Sequence, residues 1–458
     1  MSYTDHVVDF ATGIKFSDFP ERAKQQARMG MSDAVGCALA GSQQPAGKIG
    51  AKWARGCQSA PTATVWGHGF KAAPHDAALA NGTASHALDY DDVIWSLAGH
   101  PSVVLNSALF ALGEATGASG EDVLLCFMIG VEIMAKFGVT TQPLHSMEAG
   151  WHPTSSIGTL GATAACARML GLSKEATTHA LGMAVSMSSG NVGNFGTMTK
   201  PFHAGMAARN GIEAAQWASL GFTATKTPFD GKRSFHNVYS RGLPAKMDAL
   251  KDLGKTFELD ITGILIKPYP CGVASHPAID AAIELHKKGV RADDIETIRV
   301  GVTKYTYDKL SYSDVGDELQ GKFSMSYPVA RGLIDGYVRL SNFSAEDINN
   351  PKVQGLIKRT EMFEDADIEK EWRMGTNRPC RLIVTLKDGK KYEKLVKISR
   401  GDPAAPLSRE ELQDKFRDCA QLCLDGPAID KTIETLESVD KLEKISDLTA
   451  LLAGKGGR

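Results

Sequence analysis

Apolar residues recur three and four positions apart from about residue 5 to residue 221. This spacing places them on one face of a helix, so we predict that the whole stretch is helical. Ala, Gly and Met are frequent there, which indicates close packing between helices. Ser119 stands three positions before Asp122 and suits a helix N-cap. The predicted helices cover residues 74–88, 103–115, 121–138, 156–170 and 209–220.

The pattern changes after residue 257. Residues 295–302 alternate between apolar and polar positions, which predicts a β-strand. Residues 381–386 and 392–398 flank Asp388-Gly389, a sequence typical of a hairpin turn. Residues 277–288 and 327–336 have helical spacing. We therefore predict a smaller α+β domain at residues 266–400.

Helical spacing returns at residues 408–424 and 428–452. A chain of 458 residues is longer than a single core usually grows, so two domains are expected. We predict a mainly α fold with an all-helical core domain at residues 1–265. The tail at residues 401–458 is predicted to pack back on that domain.

Composition excludes several classes of function. The 51 basic and 53 acidic residues leave a net charge of −2, which gives no overall attraction to nucleic acid or to an anionic membrane. The eight cysteines are scattered and predict reduced thiols. We expect no secretory signal from the first residues, and the apolar run at residues 123–137 is shorter than the roughly 20 residues that span a bilayer. We predict a cytoplasmic protein without a nucleic-acid or membrane partner.

Five short polar segments interrupt the helical pattern. Breaks of this kind put ionisable side chains at helix ends, where distant parts of a chain can share one pocket. Their carboxylates, imidazoles and ammonium groups are the components of an acid/base site for anionic substrates. The segments are residues 89–92, 99–102, 150–154, 198–203 and 267–271.

Three carboxylates, Asp89, Asp91 and Asp92, follow the first predicted helix. They are consistent with a solvated helix end. However, Leu88 and Tyr90 make the segment partly apolar, and burial raises the pKa of a carboxylate towards values useful for proton transfer. A metal site is a further alternative, but no HxxH or HExxH motif lies nearby.

Four histidines stand at the start of predicted helices. His100 and His152 are candidates for acid/base catalysis, and Trp and Pro on either side fix the direction of His152. His203 and His276 are candidates for binding substrate. For all four, the alternative is a cap or a packed side chain.

Lys200 and Lys267 lie in apolar segments that end in proline. We interpret both as binding a substrate carboxylate, with a surface position as the alternative. No GxGxxG, GxSxG or phosphate-loop motif is found, so no nucleotide or other cofactor is predicted. Cys419 and Cys423 lie one helical turn apart and are interpreted as packing residues rather than metal ligands.

These segments, in this order, resemble the MmgE/PrpD family over nearly the whole chain. The family includes 2-methylcitrate dehydratase, cis-aconitate decarboxylase and iminodisuccinate epimerase. The resemblance is carried by residues 81–92 (NGTASHALDYDD), 150–155 (GWHPTS), 200–205 (KPFHAG), 267–271 (KPYPC) and 322–327 (KFSMSY).

The resemblance implies a helical domain built from both chain ends, an inserted α+β lid, and a homodimer that needs neither a metal nor an organic cofactor. In relatives, the substrate cleft contains residues that match Asp89, His100, His152, Lys200 and Lys267, and His276 lines the pocket. One position departs from the pattern: Val93 stands where dehydratases and decarboxylases of the family usually have threonine.

The family's reactions take place at a carbon next to a carboxylate. Lys200 and Lys267 would hold carboxylates, while Asp89, His100 and His152 would move protons. We predict a cofactor-free lyase that dehydrates a small 2-hydroxy di- or tricarboxylate such as 2-methylcitrate. The main alternative is an epimerase of an amino-dicarboxylate such as iminodisuccinate. A decarboxylase of cis-aconitate type and a non-catalytic paralogue are further alternatives.

Overall fold

The computed structural model describes residues 1–142, 144–242, 246–310, 312, 314–372 and 377–454. The chain divides into two compact units. The first consists of Met1–Asn194, Met198–Ile266 and Ser408–Arg458, and the second of Phe195–Thr197 and Lys267–Leu407.

Helices dominate the chain, as predicted. The part before residue 267 contains α1 (Tyr3–Gly13), α2 (Glu21–Ser42), α3 (Pro45–Gly56), β1 (Ala63–Val65), β2 (Phe70–Ala72), α4 (Pro74–Ser85), α5 (Pro101–Thr116), α6 (Gly120–Thr141), α7 (Pro153–Met169), α8 (Lys174–Met187), α9 (Thr199–Ser219), α10 (Phe235–Tyr239) and α11 (Glu258–Ile261).

The later part of the chain mixes helices and strands before it returns to helices. It contains α12 (His276–Lys287), β3 (Ile295–Val302), α13 (Lys304–Lys309), α14 (Glu318–Lys322), α15 (Ser326–Asp335), α16 (Ala345–Ile348), α17 (Pro351–Ile357), β4 (Thr360–Glu364), α18 (Ala366–Glu371), β5 (Cys380–Leu386), β6 (Lys391–Val396), α19 (Arg409–Ala420), α20 (Gly426–Glu437) and α21 (Ser446–Leu451).

Most predicted helices of the first unit are found within a few residues of their predicted ends. The predicted cap is confirmed, because the Ser119 hydroxyl accepts a hydrogen bond of 3.1 Å from the backbone N–H of Asp122 at the start of α6. The prediction for residues 209–220 was wrong at its beginning, since α9 starts ten residues earlier at Thr199. Proline at position 201 lies in the first helical turn, where no backbone N–H is needed.

A small hairpin departs from the prediction of an all-helical first domain. Strands β1 and β2 pair in antiparallel fashion, with Val65 opposite Phe70. Gly67 and Gly69 in the connecting turn have φ values of 75° and 66°, which are readily available to glycine.

Among the described residues, one helix is long and apolar enough to cross a membrane by length and composition. This is α6, whose 22 residues exceed the apolar run seen in the sequence because polar residues extend both of its ends. Its most apolar stretch is 94% buried within the protein, so α6 occupies the position of a core helix.

The C-terminal helices pack within the first unit, α19 against α2 and α21 against α5. The sequence predicted continuous helix at residues 428–452, but α20 ends at Glu437 and α21 starts at Ser446. Tertiary hydrogen bonds explain the break. The N–H of Gly120 donates to the carbonyl of Leu442, and the N–H of Ile445 donates to the carbonyl of Ala118.

The second unit contains a four-stranded sheet in the order β4-β3-β5-β6. The predicted strand β3 and hairpin β5-β6 are confirmed, with Ile298 opposite Val384 and Cys380 opposite Val396. Strand β4 runs parallel to β3 and was not predicted. Apolar side chains of β3 and β5 form a core with α12 and α15.

Candidate active site

Close contact between α4 and α9 sets the frame of the candidate site. A Cβ atom added at Gly82 of α4 would lie only 2.7 Å from the Cα atom of Gly205 in α9, so the two helices touch through their backbones. This contact brings the end of α4, which leads to His86 and Asp89, beside the first turn of α9, which carries Lys200.

The loop after α4 places its acidic residues by an unusual backbone conformation. Asp89 has a φ of 50°, in the left-handed region that residues other than glycine rarely adopt. Such strain is retained only where surrounding structure holds it, and it is common at functional sites. The loop is fixed further along by backbone hydrogen bonds in both directions between Val93 and Leu265. Asp89, Asp91 and Asp92 are all buried.

Lys200 forms an ion pair with Asp89, the residue whose backbone is strained. Its Nζ atom lies 2.6 Å from Oδ1 of Asp89 and 2.8 Å from Nε2 of His86. The Lys200 side chain is only 4% exposed, so this ammonium group lies inside the protein rather than on its surface. The alternative of a surface position for Lys200 does not fit this burial, and the interpretation that Lys200 binds a substrate carboxylate stays a prediction.

Asp91 contacts two histidines at once. Its carboxylate lies 2.9 Å from Nδ1 of His86 and 2.9 Å from Nδ1 of His100. Burial alone would raise the pKa of Asp91, but the two imidazole contacts hold that pKa well below its usual value. An ionised carboxylate only accepts hydrogen bonds, so His86 carries its proton on Nδ1 and presents an Nε2 lone pair. His100 lies within ion-pair distance of the same carboxylate.

His86 is therefore an uncharged acceptor. Burial lowers its pKa to about 3; nearby Asp91 opposes this shift, whereas Lys200 reinforces it. The Nε2 lone pair that Asp91 enforces accepts the hydrogen bond from Lys200. His100 lies directly before α5, with Nε2 3.9 Å from Oδ1 of Asp89 and its ring centre 4.5 Å from that of His86.

His152 and His203 form a second imidazole pair. Their Nδ1 atoms lie 3.1 Å apart, so one of the two nitrogens donates a proton to the other. Burial, with further contributions from Lys200 and neighbouring histidines, lowers the pKa of His152 well below its usual value. Burial and Lys200 lower the pKa of His203 to about 4. Both rings are uncharged near neutral pH, and a proton can pass between them.

Asp92 serves a different purpose from its neighbours. Burial and nearby Asp33 raise its pKa well above the usual value, while the Ser102 hydroxyl donates to it over 2.7 Å. Behind it, Lys415 of α19 lies 2.6 Å from Oδ1 of Asp33 and donates over 2.7 Å to the carbonyl oxygen of Tyr90. These contacts hold the loop at residues 89–92 in place.

The structure brings five of the seven predicted site residues together in the first unit: Asp89, His100, His152, Lys200 and His203. The other two, Lys267 and His276, belong to the second unit. Both are buried there, and His276 begins α12 with its ring edge against Tyr269 at 5.2 Å between centres.

Two members of the cluster were not identified as site residues from the sequence. His86 was interpreted only as part of the predicted helix at residues 74–88, and Asp91 only as one of three clustered acids. Side chains two positions apart in an extended segment point to the same side, so the spacing of Asp89 and Asp91 was a usable signal that both acids belong to one site. Nothing in the sequence indicated that one carboxylate would bind two imidazoles.

This cluster combines a buried cation with uncharged imidazoles. The ammonium group of Lys200 can hold an anion, and His152 with His203 can take up or release a proton beside it. His86, Asp89 and His100 also offer three ligand atoms that lie within 4.8 Å of one another, close enough to bind one metal ion.

Known proteins resemble the chain over its whole length. Cis-aconitate decarboxylase of Mus musculus is 30% identical over 99% of this chain and 94% of its own, and the Homo sapiens protein of the same name is 30% identical over 99% and 95%. The probable 2-methylcitrate dehydratase of Saccharomyces cerevisiae is 23% identical over 94% of this chain and 86% of its own.

Family models account for both parts of the chain. The model of the MmgE/PrpD N-terminal domain matches residues 5–248, and that of the MmgE/PrpD C-terminal domain matches residues 269–441. The relatives are lyases, which supports an enzymatic function for this chain. The family predicted from the polar segments is thus confirmed: this chain belongs to the MmgE/PrpD family.

Proposed function

We propose that this protein is a lyase that acts on a small polycarboxylate by transferring a proton at a carbon next to a carboxylate. One observation carries the proposal: the buried ammonium group of Lys200 lies in the same cluster as the uncharged His152–His203 pair. An anion held by Lys200 would be placed within a group of side chains able to move protons.

In the proposed mechanism, a substrate carboxylate replaces Asp89 as the partner of Lys200. The ammonium group then stabilises negative charge that develops on that carboxylate in the transition state. The arriving anion also offsets the repulsion that Lys200 exerts on protonated His152. This raises the pKa of His152 towards the range in which an imidazole exchanges protons efficiently.

The first candidate reaction is decarboxylation of an unsaturated tricarboxylate such as cis-aconitate. A proton from the imidazole pair adds to one alkene carbon, and the carbon–carbon bond to a carboxylate breaks. The electrons of that bond form the new double bond, and carbon dioxide leaves with an unsaturated dicarboxylate. The identity of 30% with the two mammalian decarboxylases, against 23% with the dehydratase, supports this choice.

The second candidate is dehydration of a 2-hydroxy di- or tricarboxylate, the reaction favoured by the sequence analysis. Here the imidazole pair removes a proton from carbon, and His100 or Asp89, after taking up a proton from water, gives that proton to the departing hydroxyl group. The probable 2-methylcitrate dehydratase among the relatives supports it. Epimerisation of an amino-dicarboxylate stays a prediction.

Proton NMR in deuterium oxide tests these reactions directly. The purified protein is incubated separately with cis-aconitate, 2-methylcitrate, citrate and iminodisuccinate. Loss of carbon dioxide with a deuterium-labelled dicarboxylate identifies a decarboxylase, and a new olefin from a saturated hydroxy acid identifies a dehydratase. Exchange at the α-carbon without a new olefin identifies an epimerase. Silence with all four substrates would contradict the proposal for this substrate class.

A further inference from the structure

The candidate site also has the features of a binding site for a transition-metal ion. Three ligand atoms from His86, Asp89 and His100 lie within 4.8 Å of one another, and all three residues are buried. Nε2 of His100 is 3.9 Å from Oδ1 of Asp89. Ligands of a tetrahedral ion with bonds of about 2.0 to 2.2 Å lie roughly 3.4 Å apart, so small side-chain movements would close the site.

The second shell that such an ion requires is already present. Metal-binding histidines usually donate their other ring N–H to a carboxylate, which fixes the tautomer and aims the remaining lone pair. Asp91 does this for His86 through Nδ1 at 2.9 Å, and its carboxylate also lies 2.9 Å from Nδ1 of His100. The Nε2 lone pair of His86 is therefore aimed at a cation, as its contact with Lys200 shows.

A cation already occupies the neighbourhood of these ligands. The ammonium group of Lys200 contacts Oδ1 of Asp89 and Nε2 of His86, two of the three ligand atoms. We propose that a divalent ion with affinity for imidazole, such as Zn²⁺ or Co²⁺, binds His86, Asp89 and His100 in place of this ammonium group. Because Lys200 is then displaced from the position in which it would hold a carboxylate, the ion inhibits the enzyme.

Cobalt absorption spectroscopy tests the binding without any assay of activity. The full-length protein is treated with a chelator, dialysed and titrated with Co²⁺, whose four-coordinate complexes absorb strongly in visible light. We expect one saturable site in the wild-type protein. Replacing either histidine by glutamine should abolish the band, and Asp91→Asn should weaken binding about 10- to 100-fold.

Lys200→Met gives the decisive contrast. Removing the competing ammonium group should make Co²⁺ bind more tightly, by about tenfold or more, which a misfolded variant could not imitate. His6→Gln, on α1, serves as the histidine control and should bind Co²⁺ like the wild type. The proposal is overturned if wild-type protein shows no band at millimolar Co²⁺, if His86→Gln retains the band, or if Lys200→Met binds more weakly.

Only the inhibition rests on the proposed function. If the protein is an active lyase, Zn²⁺ should inhibit it and a chelator should restore its activity. Inhibition by Zn²⁺ without the cobalt band would place the ion elsewhere and overturn the assignment. A cobalt band in a protein that turns over none of the proposed substrates would retain the metal site and remove the proposed function.

Discussion

The Nζ atom of Lys200 lies 2.6 Å from Oδ1 of Asp89, and both groups are buried. The backbone of Asp89 is in the left-handed region. The ammonium group of Lys200 and the carboxylate of Asp89 are therefore already paired with each other before a substrate binds. In the proposed mechanism, an incoming carboxylate competes with Asp89 for the ammonium group. Its binding would release Asp89 to act as an acid or base, which would couple binding and activation through one contact.

Replacement of Lys200 tests this coupling. Lys200→Met should raise KM and lower kcat together, because the cation would stabilise both the bound substrate and the transition state. A loss of about 10²-fold or more in kcat/KM is expected, comparable with removal of one stabilising donor in other enzymes. Steady-state kinetics with the substrate identified by NMR provides the measurement.

The matched control is Lys226→Met, the same substitution at a lysine that forms an exposed ion pair with Glu175. It should retain wild-type kinetics. Lys200→Met with unchanged KM and kcat would remove Lys200 from the site, whatever its position in the structure.

The imidazole pair yields a separate prediction. His152→Gln should fold normally yet lose most activity, since glutamine cannot exchange a proton at neutral pH. His203→Asn should cause a smaller loss that falls mainly on kcat, because the nitrogen that faces His152 at 3.1 Å is changed while His152 remains. Thermal unfolding of both variants separates catalysis from stability. A His152→Gln enzyme with near wild-type kcat would leave the ring only a structural role.

The position of Asp91 predicts the effect of removing one negative charge. In the variant Asp91→Asn, the uncharged amide replaces the carboxylate that accepts the Nδ1 proton of His86, so His86 should be released from its fixed tautomer. Loss of an equivalent carboxylate beside a catalytic histidine lowers kcat by up to about 10⁴-fold. Nitrogen-15 NMR of the histidine rings should show mixed tautomers in the variant. Unchanged ring signals would contradict the assigned hydrogen bonds.

The buried pair of Lys415 and Asp33 predicts a loss of stability. Lys415→Met should lower the free energy of unfolding by about 3 to 5 kcal/mol, because it removes the cation that balances a buried carboxylate. The double variant Asp33→Leu with Lys415→Met should recover part of this loss. Urea denaturation measures all three proteins, and a fully additive double variant would argue against the pair.

His145 gives a prediction about pH. Burial lowers its pKa to about 3, and its Nε2 atom lies 2.6 Å from the Ser156 hydroxyl oxygen. The unfolded chain binds a proton to this ring near pH 6.5, whereas the folded protein does not until about pH 3. Its contribution to stability is therefore complete above about pH 6.5 and declines as the pH falls through this window.

The slope of unfolding free energy against pH measures that contribution. Between about pH 6 and pH 4, His145→Leu should reduce the slope by about 1.4 kcal/mol per pH unit relative to the wild type. Other buried histidines contribute to the slope of both proteins equally. Parallel curves for the two proteins would show that His145 is charged in the folded state.

Much of the fold could be predicted because local signals mark its elements. Prolines at 74, 101 and 153 open α4, α5 and α7, and the turn at Asp388-Gly389 fixes the hairpin β5-β6. Strand β4 escaped prediction because it pairs in parallel with β3, 62 positions away at Ile298 and Thr360, and no turn signal links them. The break between α20 and α21 depends on contacts with the turn before α6.

The candidate site was predicted residue by residue but not as an arrangement. Polar segments pointed to Asp89, His100, His152 and Lys200, yet the hydrogen bond between Lys200 and His86 spans 114 positions. Ring orientation and tautomers depend on such distant contacts. The predicted homodimer and cytoplasmic location stay predictions, and light scattering of the purified protein would test the first.

The hydrogen bond from Lys415 to the carbonyl of Tyr90 joins residues 325 positions apart. At a synthesis rate of about 5 to 20 residues per second, the loop that contains Asp89 waits roughly 16 to 65 s for its support to leave the ribosome. The acid loop therefore gains this contact only near the end of translation. A nascent chain would complete the support of its acid loop only when the last helices are made.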